Sequence, residues 1–466
     1  MVTERRTDEL EAAAWQLLAE ATLYCHGKPI GVVAACDPGS QPANYDQCFM
    51  RDFAVSGLVF LMHGQAEIVR NFLSETLALQ NYQKHMDCFQ PGQGLMPASF
   101  QVVRRNGQEW LQPDFGEAAI AKVAPVDSCF WWLFLLRSYV KATGDWALVH
   151  QPGFQAGIRA ILDLCLTARF EMLPTLLVPD GSFTIDRRMG VYGHPIDIQA
   201  LFYIALRSAR ELLERSPQNE GYREAAERRI QHLAYHIREY YWLNLDRLNA
   251  IYRYNVEEYG KTAVNRFNIN PATIPQWLVE WLPDEGGYFA GNLGPGRLDY
   301  RFFSQGNLMA ILASLADAIQ SQTIIATLEY SWDSLIGEMP MKLCFPALEG
   351  QDWRTLTGSD PKNAPWSYHN GGNWPFLLWL LTAAAQKVGR RELAERALAI
   401  ACQRLLDDGW PEYYDGRNGR LIGKEARRYQ IWTVAGFLGA QALLNDPNCL
   451  ELLSFEEEPV VIACSD

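Results

Sequence analysis

Residues 184–199 read TIDRRMGVYGHPIDIQ, a stretch of sixteen positions with two aspartates, two adjacent arginines and a tyrosine between glycines. A carboxyl group crowded by opposite charges either belongs to a salt-bridged loop or has its pKa adjusted for proton transfer. Other loops rich in Gly, Trp and Tyr carry further acids. Composition does not choose among these acids, which are Asp46, Asp52, Asp114, Glu117, Asp127, Asp180, Asp186, Asp197, Glu412 and Asp415.

The residue types around these acids suit a neutral, polyhydroxylated ligand. Sugar C–H faces stack on Trp and Tyr, and sugar hydroxyls hydrogen-bond to Asp, Arg, Asn and Gln. Hydrolysis of a glycosidic bond needs two carboxyl groups, one protonated and one ionised. Signatures for dinucleotides, nucleotides, serine esterases and zinc proteases are absent, and the i,i+4 pair His232 and His236 lacks a carboxylate ligand motif. We therefore predict no cofactor and no metal.

Bulk properties exclude several classes of partner. The net charge of −13 disfavours binding to nucleic acid, which requires a positive surface. The ten cysteines are scattered without any C-x-x-C, which is typical of reduced thiols in the cytosol. The charged N-terminus has no apolar signal region, and apolar stretches such as 130–136 are too short to span a bilayer. These features predict a soluble cytoplasmic protein.

Apolar residues recur at three and four positions, so amphipathic helices dominate the predicted structure. Eleven windows, with 51–79 broken at Gly64, make about twelve helices. Aromatic and Gly-rich loops separate them, which predicts an all-α fold, an (α/α)6 toroid of helix hairpins with functional loops at one end. No linker divides the chain, so we predict one domain over 1–466, with 446–466 as a surface tail. The helical windows are 8–24, 51–79, 127–143, 155–171, 195–215, 219–242, 302–318, 321–335, 371–388, 391–408 and 427–445.

Several long motifs closely resemble those of the alkaline/neutral invertases, a family of cytosolic sucrose hydrolases with an (α/α)6 barrel. The resemblance is collinear from about residue 20 to 445. It rests on NYDQCFMRDF, PGQGLMPASF, DFGEAAIAKVAPVDS, TIDRRMG, HPIDIQALFY, NRFNINPATIPQWL, DWRTLTGSDPKNAPWSYHNGGNWP and WPEYYDGRNGRLIGKEARRYQIWTVAG.

The resemblance assigns roles to two acids. It implies that Asp186 is the general acid and Glu412 the general base of an inverting mechanism, with the carboxyls ~6.5–9.5 Å apart. Asp186 must hold its proton near neutral pH, so we expect Arg187 and Arg188 to point away from it. The alternative for Glu412 is a structural partner of an arginine.

Further residues are candidate sugar contacts. Asp127 has the alternative of capping a helix, and His194 that of an ordinary loop histidine. Asp197, where plant relatives carry Glu, is a doubtful contact. The predicted substrate-binding set is Arg51, Asp52, Asp127, His194, Gln199, Asn307, Trp366, Tyr368, His369 and Arg428.

The sequence is thus interpreted as an enzyme that cleaves sucrose into glucose and fructose, with no nucleic-acid or membrane partner. The family forms oligomers, so a homo-oligomer is left open. Three alternatives remain: a sugar epimerase, which would need paired histidines such as His194 and His369; a phosphorylase, which would need an anion pocket; and a non-catalytic sugar-binding protein.

Overall fold

The computed structural model describes residues 4–37, 44–82, 92–117, 125–166, 174–178, 183–185, 189–256, 271–294, 297–421 and 426–460. Asp186, Arg187 and Arg188 lie outside the described residues, so the predicted directions of these side chains stay predictions.

Helices make up most of the described chain. In order they are α1 (Glu4–Glu20), α2 (Met50–Met62), α3 (Ala66–Leu77), α4 (Ser128–Thr143), α5 (Trp146–Val149), α6 (Pro152–Cys165), α7 (Ile196–Leu212), α8 (Pro217–His236), α9 (Leu245–Val256), α10 (Gln276–Trp281), α11 (Ser304–Leu312), α12 (Ala318–Tyr330), α13 (Trp332–Leu335), α14 (Gly350–Thr357), α15 (Leu378–Lys387), α16 (Arg391–Cys402), α17 (Ile431–Asn445) and α18 (Cys449–Leu453). The predicted break at Gly64 is confirmed, because that residue takes a φ of +72° between α2 and α3.

Six of the described helices pack in a closed cycle. Helix α2 packs on α4, α4 on α7, α7 on α11, α11 on α15, α15 on α17, and α17 back on α2. Each is buried on almost all sides, as expected for helices whose sequences are apolar all round. Around this cycle, α3 packs on α2, α8 on α7 and α16 on α15. The arrangement is consistent with the predicted toroid.

The six ring helices run in the same direction. At their N-terminal ends, Arg51 of α2 pairs with Asp127 before α4, and Gly306 of α11 donates its N–H to Asp197 of α7. Phe376, just before α15, stacks on Trp432 of α17 with ring centroids 4.0 Å apart. Main-chain bonds link these pairs: Leu343 accepts from Ser304 of α11 and donates to Gly372 before α15, and Ala34 accepts from Ile431 of α17 and donates to Gln47 before α2. The N-terminal ends therefore meet at one end of the ring, which we call the N-terminal end.

Strands are more extensive than the all-α prediction allowed. The described strands are β1 (Thr22–Cys25), β2 (Lys28–Val32), β3 (Cys48–Phe49), β4 (Ser99–Arg105), β5 (Gln108–Asp114), β6 (His194–Pro195), β7 (Trp242–Leu243), β8 (Tyr288–Gly294), β9 (Arg297–Phe303) and β10 (Cys344–Phe345). They form a β1–β2 hairpin, a three-stranded sheet in the order β3-β4-β5, and a five-stranded sheet in the order β10-β9-β8-β6, with β7 also on β8. The prediction of a helix-rich fold holds, but it missed these strands because short hairpins inside loops have weak periodicity.

The segment 446–466 was predicted as a surface tail, and the structure describes it as far as residue 460. Phe455 is 2% exposed, and the Arg137 guanidinium lies 3.6 Å from its ring centroid. Lys387 donates to the Phe455 carbonyl, while Arg207 and Arg210 pair with Glu458. These cations come from the C-terminal halves of α4, α7 and α15, so the segment after α18 closes the ring at the end opposite the N-terminal end.

Two observations concern the cellular setting. Each of the eight cysteines in the described ranges is unbridged, and all but Cys36 are buried. Within the same ranges, no helix combines the length and the apolar character needed to cross a bilayer.

Candidate active site

The N-terminal end of the ring gathers most of the candidate residues. Arg51, Asp52 and Asp127 lie at the starts of α2 and α4; His194, Asp197 and Gln199 lie at the start of α7. The loops before α15 and α17 carry His369 and Glu412. Helix N-termini carry partial positive charge and free N–H groups, which favour polar ligands at such an end.

Glu412 is held on a short segment that pairs with residues 427–430. The N–H of Glu412 donates to Arg427 O (2.8 Å), and the N–H of Gln430 donates to Trp410 O (2.9 Å), so residues 410–412 run alongside 427–430. Residues 427–430 were predicted as helix, but α17 begins at Ile431 because their N–H and C=O groups are used in this pairing. The pairing fixes the direction in which the Glu412 side chain leaves the backbone.

The Glu412 carboxylate is buried and has two kinds of neighbour. Tyr45 Oη donates to Oε1 at 2.8 Å, and Lys362 Nζ lies 3.6 Å from Oε2. Within the described residues, Oε2 has no hydrogen-bond partner. The described partners of the carboxylate are therefore a tyrosine and a lysine, whereas the structural alternative for Glu412 required an arginine.

Four aromatic residues beside Glu412 have strained backbones. Trp366, Tyr368, Trp410 and Tyr429 have φ angles of +66°, +50°, +50° and +54°. Bulky side chains rarely adopt this region, and such strain is maintained only when the surroundings determine it. Gly372 N–H and Trp374 Nε1 both donate to Tyr368 O at 3.0 Å, which holds this loop in place.

The predicted aromatic contacts on this loop differ in exposure. Tyr368 and His369 are 5% and 1% exposed and stack with centroids 3.8 Å apart. Trp366 is partly exposed, and its Nε1 donates to Glu349 Oε1 at 2.6 Å. Trp366 is thus the member of this predicted set that lies at a rim, while His369 packs inside the stack.

The partly buried Arg51 and the buried Asp127 form a bidentate pair. Arg51 Nε lies 2.6 Å from Asp127 Oδ2 and Nη2 lies 3.2 Å from Oδ1, and Trp131 Nε1 donates to Oδ2 at 3.3 Å. Asp127 occupies the N-cap position of α4, but its side chain makes no cap hydrogen bond. The capping interpretation of Asp127 is therefore wrong, because its carboxylate pairs with Arg51, while its predicted sugar contact stays a prediction. Asp52 is buried in the first turn of α2.

Gln199 and Asn307 were predicted as sugar contacts, and the structure gives their amides another role. Gln199 bonds both the N–H and the C=O of Leu176. Asn307 accepts from Phe289 N–H and donates to the carbonyls of Phe289 and Phe303. Both side chains are fully buried, with their amides bonded to the main chain. Both amides therefore hold loops and strands in place, and their predicted sugar contacts stay predictions.

Two titratable groups lie at the start of α7. Burial lowers the pKa of His194, outweighing the backbone of Leu176 and Thr175, which raises it. Burial raises the pKa of Asp197 to about 7, although the Gly306 N–H on Oδ1 opposes this. Asp197 is 1% exposed, and its Oδ2 has no partner within the described ranges.

Arg428 is exposed, so its predicted sugar contact has no support from its position. Its neighbour Arg427 is half-buried, with the guanidinium 5.2 Å from the ring centroid of Tyr45. The contact with Tyr45 thus belongs to the residue next to the predicted one. Sequence reasoning missed Arg427, Tyr45 and Lys362. All three stand in motifs that carried the resemblance, but none is an acid.

Both flanks of the Asp186 motif are anchored at the N-terminal end. Thr184 Oγ1 donates to Gln305 Oε1 at 2.8 Å, in the first turn of α11. Arg301, paired with Asp299, donates through Nη2 to Met189 O at 2.8 Å. Because Asp186 is outside the described residues, the predicted separation of the Asp186 and Glu412 carboxyls stays a prediction.

Comparison with solved structures places this fold among helix-rich glycosidases. A glycosidase variant in complex with glucose aligns with a TM-score of 0.55 and 12% identity over 97% of this chain and 100% of that one. A GH63 mannosylglycerate hydrolase from Thermus thermophilus in complex with glucose aligns with a TM-score of 0.55 and 13% identity, covering 92% and 99% of the two chains. At such identity these similarities show the fold alone.

The family model described as alkaline and neutral invertase matches residues 14–447, and the chain belongs to this family of glycoside hydrolases. It is 53% identical to alkaline/neutral invertase C, mitochondrial, of Arabidopsis thaliana, over 97% of this chain and 69% of that protein. It is also 53% identical to cytosolic invertase 1 of Oryza sativa subsp. japonica, over 96% of this chain and 80% of that protein. Because the relatives' names cover different compartments, a cytoplasmic location stays a prediction.

Proposed function

We propose that this chain hydrolyses sucrose to glucose and fructose by single displacement with inversion, at the N-terminal end of a ring that forms the inner circle of an (α/α)6 barrel. The observation that carries the proposal is the environment of the Glu412 carboxylate. Its carboxylate is buried, anchored at Oε1 by Tyr45, and has an Oε2 without a hydrogen-bond partner among the described residues. A carboxylate oxygen in that condition can accept a proton from a water molecule.

In the proposed reaction, Glu412 Oε2 accepts a proton from water while the water oxygen bonds to the glucosyl C1. The bond from C1 to the fructosyl oxygen breaks, and Asp186 donates its proton to that oxygen. Attack from the face opposite the leaving group inverts the configuration at C1. The role of Asp186 rests on the family resemblance, and the described residues Thr184 and Met189 on either side of it are bonded at the N-terminal end of the ring.

The remaining contacts are assigned from position. The bidentate pair of Arg51 and Asp127, with Asp52 beside it, supplies polar groups, and Trp366 supplies an aromatic face at the rim. Gln199, Asn307 and Arg428 are left out of the contact set for the reasons given above. The epimerase alternative loses support because His369 packs within an aromatic stack.

The test is glucose release from sucrose by Asp186→Asn and Glu412→Gln, with Glu329→Gln as control. Glu329 lies on the exposed side of α12. Each active-site variant should fold and lose ~10²–10⁴-fold in kcat, the usual contribution of a general acid or base. The control should match the unmodified protein. Full turnover by either active-site variant would remove that residue from the mechanism, and phosphate-dependent turnover would favour a phosphorylase.

A further inference from the structure

Lys362 is the described cation in contact with the Glu412 carboxylate. Nζ lies 3.6 Å from Oε2, and the two side chains are 10% and 4% exposed. This separation exceeds the usual N–H···O hydrogen-bond length of about 2.7–3.2 Å. The ammonium therefore attracts the carboxylate electrostatically without taking a lone pair of Oε2, which stays able to accept a hydrogen bond from water.

The position of Lys362 is fixed from two sides. Nζ lies 4.0 Å from the centroid of the Tyr368 ring, a cation–π contact on one of the strained aromatic residues. The Lys362 N–H donates to Asp360 Oδ1 at 3.0 Å. The next residue, Asn363, is fully buried and accepts the His369 N–H at 3.1 Å. The lysine and its aromatic support therefore belong to one hydrogen-bonded loop.

Other buried lysines are arranged differently. Lys387 donates to Leu312 O, Ser314 Oγ and Phe455 O, and Lys342 points its Nζ to Asp333 O at 3.5 Å. Those ammonium groups tie main-chain segments together, which is a structural use. Lys362 instead contacts a carboxylate and an aromatic face. Desolvating two charges is costly, so a buried ion pair is weak evidence for a role in stability.

We propose that Lys362 is a positioning residue of the general base, a role that rests on the proposed function. Its ammonium, supported by Tyr368, orients the Glu412 carboxylate from the Oε2 side while Tyr45 Oη holds Oε1. The two contacts together fix the plane of the carboxylate, so that the free lone pair of Oε2 points at the attacking water. Lys362 acts through Glu412 and does not contact the sugar.

This role predicts a loss in kcat with little change in KM, because sucrose binding does not involve the lysine. Misplacing a catalytic group by about 1 Å can cost ~10²-fold. Lys362→Met, which keeps the length of the side chain, should lower kcat by about 10- to 100-fold and change KM by less than about threefold. The double variant Tyr45→Phe/Lys362→Met should lose less than the product of the single losses, because both residues orient the same carboxylate.

Chemical rescue separates positioning from a packing role. In Lys362→Ala, ethylammonium chloride should raise kcat several-fold relative to sodium chloride at equal ionic strength. Lys342→Ala, a matched buried lysine that does not contact Glu412, should show no such increase. Cooperative thermal unfolding of each variant checks its fold, and if both Lys362 variants fail to fold, Tyr45→Phe decides, with a drop in kcat at constant KM expected.

The outcomes distinguish this inference from the proposed function. If Glu412→Gln is inactive while Lys362→Met keeps kcat within about twofold, the positioning role is overturned and the proposed function stands. A raised KM at unchanged kcat would instead make Lys362 a substrate contact and also overturn it. Full activity of Glu412→Gln would remove the proposed base and this inference together.

Discussion

Gln199 holds Leu176 through both of its backbone polar groups: Leu176 N–H donates to Gln199 Oε1 at 2.8 Å, and Gln199 Nε2 donates to Leu176 O at 2.9 Å. A glutamine in the first turns of α7 thereby fixes a loop 23 residues earlier in the chain. The amide is used as a backbone substitute, since each main-chain donor and acceptor buried away from water needs a partner.

Gln199→Met should therefore affect stability rather than substrate affinity. Removing the amide leaves the N–H and C=O of the partly buried Leu176 without this partner, at about 1–3 kcal/mol in total. Urea unfolding should show that loss, while KM for sucrose stays within about twofold. Gln16→Met, on the exposed side of α1, is the control and should change neither quantity. A large rise in KM at unchanged stability would restore Gln199 as a sugar contact.

Arg427 and Arg428 provide a matched pair of neighbouring variants. Arg427 lies over the ring of Tyr45, whose hydroxyl bonds Glu412, whereas Arg428 is exposed. A cation–π contact of this kind is worth about 1–2 kcal/mol, so Arg427→Gln should lower kcat by about fivefold to thirtyfold. Arg428→Gln should leave kcat/KM nearly unchanged. Equal losses in the two variants would contradict the placement.

Asp197 should make stability depend on pH. Burial raises its pKa in the folded protein to about 7 from an ordinary 3.8, so between these values the folded state holds a proton that the unfolded state has lost. Stability therefore falls as pH rises through this window and is lowest, by on the order of a few kcal/mol, above pH 7.

The isosteric Asp197→Asn removes this titration. Its stability relative to the unmodified protein should rise between pH 5 and pH 8, as measured by urea unfolding at both values. Glu67→Gln, an exposed acid in the first turn of α3, should give no such change. A stability difference that is the same at both pH values would argue against a buried, protonated Asp197.

Phe455 should contribute to stability without affecting catalysis. Its ring is buried against Phe134 and the guanidinium of Arg137, at the end of the ring opposite Glu412. Phe455→Ala should lower the free energy of unfolding by about 3–5 kcal/mol. The kcat/KM at 25 °C should stay unchanged, and Glu456→Gln, an exposed neighbour, should alter neither value. Unchanged unfolding would return this segment to a surface tail.

Long apolar runs between turn signals made the ring helices predictable from the sequence. Helices α4 and α17 are long and apolar, and the Gly64 break follows from a residue that accepts positive φ. The predicted helix 371–388 starts earlier than the observed α15, which begins at Leu378. Pro375 opens a 3-10 turn, and the residues before Pro375 belong to the loop that contains the strained aromatic residues. Local sequence does not encode such boundaries when distant backbone groups determine them.

The sequence predicts which loops carry the candidate site, but it does not predict which partner each side chain contacts. An Asp, Gln or Asn at the start of a helix has the same sequence signature whether it faces a sugar, an arginine or a backbone amide. Asp127 forms an ion pair with Arg51, 76 residues earlier, and Asn307 accepts a hydrogen bond from the main-chain N–H of Phe289. Conversely, Tyr45 reaches Glu412 across 367 residues, a pairing that only the closure of the ring creates.

The anomeric form of newly released glucose tests the central claim most directly. Sucrose carries an α-glucosyl group, so attack by a water molecule activated at Glu412 Oε2 should release β-glucose. Proton NMR of the first seconds to minutes of hydrolysis, before mutarotation equalises the anomers, should show the β-anomer signal rising first. Initial release of α-glucose would mean retention and would contradict the single displacement with Glu412 as base.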